Sequence, residues 1–466
     1  MNFIDRQKEI SRISRSLSSD KKRFIVVYGR RRLGKSTMIK HILGPRDVYF
    51  EADLNEEAVQ MQLLVNTINM TYPAFGKARY DSWGHLLEHF NLICDDNCTL
   101  CLDEFPYLVK KCAALPSILQ KFIDSGNQRF NIIICGSSQR MMENLILNAS
   151  EPLYGRADEK ICLKPIPIQY WADEFSLNAK NAIEEYAIWG GVPRYWNLRE
   201  DYDDMWQAAE YLIFDEHGIL SNEPAALFID DTSEIASYSS IMTAVGNGSH
   251  RFTEIADAIG KRVTELSTPL KNLSEMAYLR KEVPFGENEE KSRKTLYQIA
   301  DPFMGFYYMF VAPNKSFLAL GKSNRILELT RKHFNEHVSR VWERLCATAI
   351  SGSNFAGIEW GMASRWWGSV PAFDAEGRRS GSEDIEFDVV ARSLDSSCIL
   401  IGECKWNKHD FSDRLLRALA VKAAKVKAFA DKKIIYVLFL REPPITDRHF
   451  DNQYLLYPED IIAMMK

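Results

Sequence analysis

An eight-residue stretch near the N-terminus constrains this chain more than any other. Gly29-Arg-Arg-Arg-Leu-Gly34-Lys35-Ser36 satisfies the phosphate-loop pattern G-x-x-x-x-G-K-[ST]. Glycines let backbone N–H groups close around phosphate oxygens without a clashing Cβ. Lys35 brings a point charge to the β- and γ-phosphates, and the Ser36 hydroxyl suits a Mg2+ ligand. The flanks agree. "RFIVVY" before the loop reads as a short buried strand, and "STMIKHIL" after it places Met38, Ile39 and Ile42 on one helical face. Strand, glycine loop and helix start together form an anion site. Gly29, Arg30, Arg31, Arg32, Leu33, Gly34, Lys35, Ser36 and Thr37 are the candidate nucleotide-binding residues. Within the loop, Arg30 to Arg32 read as a solvated charge cluster.

Such a loop works with a second strand that ends in an acid. "TLCLDEF" supplies it: Asp103 can hold the Mg2+ shell, and Glu104 can polarise the attacking water. A third strand, "NIIICGSSQRMM", ends in Gly136-Ser137-Ser138, where a polar side chain can sense the γ-phosphate; Ser138 is the candidate. "DVYFEA" and "KICLKP" read as further strands. Strands alternating with helices predict an α/β fold with a mostly parallel sheet and helices on both faces.

Length and composition bound the rest. A chain of 466 residues exceeds one core and predicts two to four domains. Its longest apolar runs, such as "KKIIYVLFL", are strand-length and too short to cross a bilayer. The opening "MNFIDRQKEI" carries charges where a signal peptide would be apolar. The nine scattered cysteines fit reduced thiols, so a cytoplasmic protein is expected. A net charge of −5 confines any nucleic-acid binding to a local patch.

"FIDRQKEI", "YGRRRLGKS", "LDEFPYL", "GSSQRMM", "PLYGRA" and "GGVPRY" occur in this order over the first half of the chain. Together they resemble the archaeal-type ATPases, a group within the STAND branch of P-loop NTPases, related to AAA+ proteins. The resemblance implies that the "IIICGSS" strand lies between the phosphate-loop strand and the "TLCLD" strand. It also implies ATP, with Mg2+, rather than GTP. It implies that Arg156 lies near the γ-phosphate or an adjoining subunit, and that Pro193 packs on adenine from a small helical lid. For Arg156 a surface ion pair is the competing reading.

His85, His89, Cys94 and Cys98 have zinc-like spacing on paper. However, "HLLEHFNLIC" reads as an amphipathic helix entering the Asp103 strand, and the short "DDNC" turn leaves little room for a ligand knuckle.

Past the lid, "EPAALFIDDTSEIASYSSIMTAVGNGS" reads as a helical bridge ending in a Gly-Asn-Gly turn. Two helical patterns then meet at Ile259 to Lys261, one with Ile255, Ala256 and Ile259, the other with Val263, Leu266, Leu270 and Leu273. "YLRKEVPFGENEEKSRKTLYQIA" follows as a hairpin with a charged tip, which predicts a winged helix-turn-helix. Archaeal-type ATPases often carry such a module. Lys261, Arg262 and Lys271, with Lys291, Arg293 and Lys294 on the wing, are candidate contacts to duplex DNA phosphates. Glu265, Glu287, Glu289 and Glu290 dilute the patch, so a protein-interaction or spacer module stays open.

The C-terminal region pairs "IEFDVVARS", holding Asp388, with "CILIGECKW", holding Glu403 and Lys405. An Asp followed by E-x-K on an adjacent strand resembles the PD-(D/E)XK nuclease core. Period-two alternation puts Glu403 and Lys405 on one face. Asp388 and Glu403 could share a divalent metal ion, with Lys405 placing water or stabilising charge. Glu343, on the upstream helix "HVSRVWERLCATAI", matches the acid often found on that fold's first helix. "DRLLRALAVKAAKVKAF" reads as a following basic helix. The region also resembles a domain of unknown function that often follows this ATPase and winged helix.

The expected architecture is an ATPase core over 1–165, a helical lid over 166–240, a winged helix-turn-helix over 241–312 and a restriction-endonuclease-like α/β domain over 313–466. The expected function is a Mg2+-dependent ATPase switch coupled to DNA binding and nucleic-acid cleavage. The alternative is an ATP-dependent signalling scaffold with a silent nuclease-like domain. Either could engage a protein partner or assemble with itself, and neither implies a membrane.

Overall fold

Phe24–Tyr28 (β1), Thr99–Asp103 (β3) and Asn131–Gly136 (β4) are buried at every position. Runs of this kind with no polar face belong in the middle of a covered parallel sheet. That is where they lie. With Val48–Glu51 (β2) and Glu159–Cys162 (β5) they form a five-stranded sheet in the order β2-β3-β4-β1-β5, with every pair parallel. β4 stands between β3 and β1, as the archaeal-type resemblance implied. Helices such as Trp83–Ile93 and Leu115–Asp124 bury Trp83, Leu86, Phe90, Leu115 and Leu119 in the core beside the sheet.

The computed structural model describes residues 4–229, 235–373, 378–407, 413–443 and 452–466. The chain falls into two units. The first is built on the residues through Ile166 and takes in Val192–Asn197. The second holds Pro167–Gly191, Leu198–Ala225 and the described residues from 235 onward. The stretch expected as a lid is thus shared between the two. Of the expected helical bridge, Glu223–Phe228 and Ile235–Gly246 are helices, while 230–234 lie outside the described residues.

In the second unit, helices Phe252–Ile259 and Val263–Glu275 are joined through Gly260, whose φ of 65° only a glycine adopts without cost. Leu266, Leu270 and Leu273 are buried as expected, but Val263 is exposed because it opens its helix beyond the buried stripe. An antiparallel hairpin follows, Leu279–Glu282 (β6) with Leu296–Ile299 (β7). After helix Ser323–Ile350 and a small pair, Asn354–Phe355 (β8) with Ile358–Glu359 (β9), comes a second five-stranded sheet. Its strands are Ser364–Phe373 (β10), Arg379–Arg392 (β11), Cys398–Lys405 (β12), Lys433–Leu440 (β13) and Gln453–Leu456 (β14), in that spatial order. The first two neighbouring pairs are antiparallel and the last two parallel. Pro371 is tolerated because β10 is an edge strand. Helix Asp413–Ala424 buries Leu416, Leu419 and Ala423 among Ile399, Ile401 and Leu438.

Candidate functional site

Gly29 leaves β1 at φ 143°, and a Cβ there would lie 2.6 Å from the Leu163 carbonyl oxygen. The loop therefore needs glycine at its entry, and Gly34, at φ 84°, ends it as the N-cap of helix Lys35–Ile42. Lys35 is buried, and its Nζ donates to the carbonyls of Gly29 and Arg30 at 2.8 and 2.9 Å. Burial lowers the pKa of this ammonium, while Cys135, Glu104 and Asp103 pull the other way. Ser36 Oγ donates to Asp103 Oδ2 at 2.6 Å, as does the Tyr49 hydroxyl, and the Glu104 N–H donates to Asp103 Oδ1 at 2.8 Å. Burial would raise the Asp103 carboxyl, but the donors Ser36, Tyr49, Cys135 and the Glu104 N–H outweigh it and hold it below the usual range. A serine hydroxyl and an ionised aspartate in direct contact are a donor set that fits Mg2+.

Glu104 has left-handed backbone angles, φ 50° and ψ 39°, as the N-cap of helix Phe105–Lys111. Its carboxylate accepts Ser137 Oγ at 2.6 Å and the Ser137 N–H at 3.3 Å. The contact to Glu104 thus comes from Ser137, whereas Ser138 caps helix Gln139–Leu147 by accepting the Met141 N–H. The arginine cluster is not solvated as expected. Arg30 is buried, and Arg31 donates to the Tyr107 hydroxyl at 2.8 Å, because the loop folds back against the neighbouring elements. Arg32 has φ 67°, and Thr37 is exposed on its helix. Arg156 makes a two-pronged pair with Asp124, at 2.9 and 2.8 Å, on the surface. Pro193 opens helix Pro193–Arg199 and is half-buried. His85 pairs with Asp81 at 2.7 Å and His89 with the Tyr80 hydroxyl at 2.6 Å, while Cys94 and Cys98 are buried.

The second unit assembles another constellation. β11 carries an extra residue against β10: Asp388 and Val389 face the single Arg365, between the pairs Ser364↔Val390 and Trp366↔Phe387. Such a bulge re-aims a side chain. Asp388 Oδ2 accepts the Cys404 N–H at 2.8 Å, and Lys405 Nζ pairs with Glu403 Oε1 at 2.8 Å. Burial, then the neighbouring Asp388, raises the Glu343 carboxyl; burial, then Glu403, raises Asp388. Glu343, Asp388, Glu403 and Lys405 therefore form one electrostatic neighbourhood. Among the described residues, however, no three His, Cys, Asp or Glu side chains are placed to hold a metal ion together. Glu403 turns to Lys405, and Asp388 is engaged by the strand backbone.

Residues 3–195 match the family described as "ATPase domain predominantly from Archaea". These residues are similar to an archaeal-type ATPase domain, and the match runs past Ile166 into Pro167–Gly191 of the second unit. Residues 307–419 match a second family, described as "Archaea bacterial proteins of unknown function". Uncharacterized protein MJECL04 of Methanocaldococcus jannaschii is 26% identical over 419 residues, covering 88% of this chain and 89% of that protein. Among solved structures, the Walker-type ATPase PABY2304 of Pyrococcus abyssi is similar at 19% identity and a TM-score of 0.49, over 66% of this chain and 96% of that one. The Aeropyrum pernix ORC2 protein is similar at 13% identity and a TM-score of 0.43, over 71% and 97%.

Three residues of the ATPase domain escaped the sequence reading. Tyr49 reaches Asp103 from β2, which only the strand order could reveal. Ser137 lay one residue from the expected Ser138. Arg6 is buried at φ 75° and donates to the carbonyls of Leu33, in the phosphate loop, and Lys164 at 3.2 and 2.7 Å. It anchors the N-terminal helix Gln7–Leu17 to the back of the loop.

Proposed function

We propose that the chain is a Mg2+-dependent ATP-hydrolysing switch that acts on nucleic acid through a winged helix and a nuclease-like C-terminal domain. The observation that carries this reading is the 2.6 Å contact of Ser36 with Asp103 beside a serine-held Glu104. Ser36 and Asp103 would hold the ion, which when bound offsets phosphate charge. Lys35 would exchange its two carbonyl partners for β- and γ-phosphate oxygens. Glu104 would take the proton of the attacking water on a carboxylate oxygen, with Ser137 fixing its direction.

Helices Phe252–Ile259 and Val263–Glu275 with the β6–β7 hairpin support the winged-helix reading. A cavity of about 340 Å3, lined by Arg251, Thr253, Arg293 and Lys294 among others, suits phosphate contacts. Lys261 meets Ser237, Lys271 pairs with Glu275 and Lys294 with Glu287, so binding would be weak and salt-sensitive. In the last domain, Glu343 on the helix before the sheet, Asp388 on β11 and Glu403-x-Lys405 on β12 follow the order of the nuclease core. Asp388 and Glu403 would hold a divalent ion, with Glu343 beside them and Lys405 directed at the phosphate.

The test is nicking of supercoiled plasmid by purified protein in Mn2+, with and without ATP. Nicking that is lost in Lys405→Ala, while ATP hydrolysis persists, is the expected result. ATP hydrolysis with no nicking in any divalent ion would favour the signalling scaffold.

A further inference from the structure

The β6–β7 hairpin brings an internal acid to the bulge at Asp388. Glu282, on β6, is nearly buried and lies between two guanidinium groups. Arg280 Nη1 meets its Oε1 at 2.5 Å, and Arg365 Nη1 lies 3.4 Å from its Oε2. Arg365 also pairs with Glu386 on β11. The Phe285 N–H donates to the Arg365 carbonyl at 2.8 Å, which pins the turn following β6 to β10. Arg365 is the residue that faces Asp388 and Val389 across the bulge. One hydrogen-bond capacity is left over on each arginine: Arg280 Nε and Arg365 Nε are buried with no hydrogen-bond partner among the described residues. Buried guanidinium N–H groups of this kind are costly unless an acceptor arrives.

Two cations sharing one carboxylate, each with a donor to spare, resemble a phosphate cradle filled by a weaker acceptor. A carboxylate has two oxygens, and a phosphodiester has more acceptor directions and fits the guanidinium fork at least as well. The cations also act on the Glu343 carboxyl, so the cradle and the acidic neighbourhood adjoin.

We propose that Arg365 and Arg280 form the phosphate-binding subsite of the Asp388–Glu403 neighbourhood, taking a backbone phosphate of a nucleic-acid strand, and that Glu282 occupies that subsite as an internal stand-in. This rests on the nucleic-acid reading of the C-terminal domain and adds to it. The hairpin does not merely precede that domain; it supplies Arg280 and the competing Glu282. Binding of a strand displaces the Glu282 carboxylate from the two guanidinium groups.

The experiment measures binding of a fluorescent duplex oligonucleotide to the full chain in Ca2+, across a salt series. Glu282→Gln removes the competing charge at nearly constant shape, so affinity should rise several-fold. Arg365→Gln should lower it by about tenfold and reduce the salt slope by about 0.9, the loss of one phosphate contact. Arg365→Lys, which keeps the charge and lacks the fork, should fall between the two, and matching thermal melts exclude misfolding. A Lys291, Arg293 and Lys294 triple alanine variant serves as the separate arm for the wing. If the native chain binds duplex and the wing variant weakens it, while Glu282→Gln and Arg365→Gln bind as the native chain does, the subsite is wrong and the nucleic-acid reading stands. If the native chain binds no duplex even at low salt, the nucleic-acid reading fails and the subsite with it.

Discussion

Lys35 and Lys405 each stand beside two acids, yet the two neighbourhoods differ in how their charges are met. Around Lys35 the partners are in place: two carbonyls accept hydrogen bonds from its ammonium, Asp103 accepts three hydrogen bonds, and Glu104 is held by Ser137. Asp103 is accordingly held in its ionised form. Around Lys405 the balance is unfinished. Glu343 and Asp388 are pushed toward their protonated forms, and two buried arginine Nε groups have no acceptor among the described residues. The first site is preorganised by its own chain. On the reading proposed above, a cation and an anion from outside would complete the second.

This contrast can be broken by titration. Glu343 and Asp388 bind protons more tightly in the folded protein than in the unfolded chain. Their folded forms are therefore favoured at low pH, and that stabilisation is lost as pH rises through about 6 for Asp388 and about 7 for Glu343. For Glu343 the cost at pH 8 is roughly 2–3 kcal/mol, discounted for its partial exposure. Glu343→Gln should raise the melting temperature of the second unit at pH 8 and change it little at pH 5. Divalent ion should flatten the native profile. A native profile already flat between pH 5 and 8 would place the carboxyls in no unusual environment.

The preorganised site sharpens the comparison from the other side. Ser137→Ala removes a hydrogen bond to a charged carboxylate, worth about 1.5–3 kcal/mol. Turnover of ATP should fall about tenfold or more with KM nearly unchanged if Ser137 acts by directing Glu104. An equal fall in Ser138→Ala, with Ser137→Ala silent, would return the role to Ser138.

Much of the first site was legible because its residues are close in sequence. A phosphate loop packs glycines, lysine and serine into eight positions, and Asp103-Glu104 ends an apolar run that can only be a buried strand. Sequence spacing is silent where a contact depends on which strand is the neighbour, as for Tyr49, or on which of two serines turns inward. The arginines misled for a similar reason: a charged run reads as solvated, but Arg30 is buried by the fold of its own loop. In the second unit, strand alternation set Glu403 and Lys405 on one face, where they do pair, while Asp388 was singled out by the resemblance to the nuclease core. The bulge that sets Asp388 opposite Arg365, and the hairpin that brings Glu282, depend on pairing between distant segments. β10 itself, with its Trp366-Trp367 pair and Pro371, carried no clean alternation to announce it.

The smallest effect is expected at Arg156. Its pair with Asp124 is on the surface, so Arg156→Ala should leave the thermal melt nearly unchanged. A large loss of ATP turnover in that variant would instead place Arg156 near the γ-phosphate or an adjoining subunit, as the family resemblance implied.

The preorganised site is tested most directly by single-turnover ATP hydrolysis in Glu104→Gln, measured beside equilibrium binding of fluorescent ATP in Mg2+. The side chain keeps its shape and loses its capacity to take a proton. ATP should bind within a few-fold of the native affinity while hydrolysis slows by about 10²-fold or more. Hydrolysis at the native rate would contradict the assignment of Glu104 as base and, with it, the claim that this chain switches by turning over the ATP it holds.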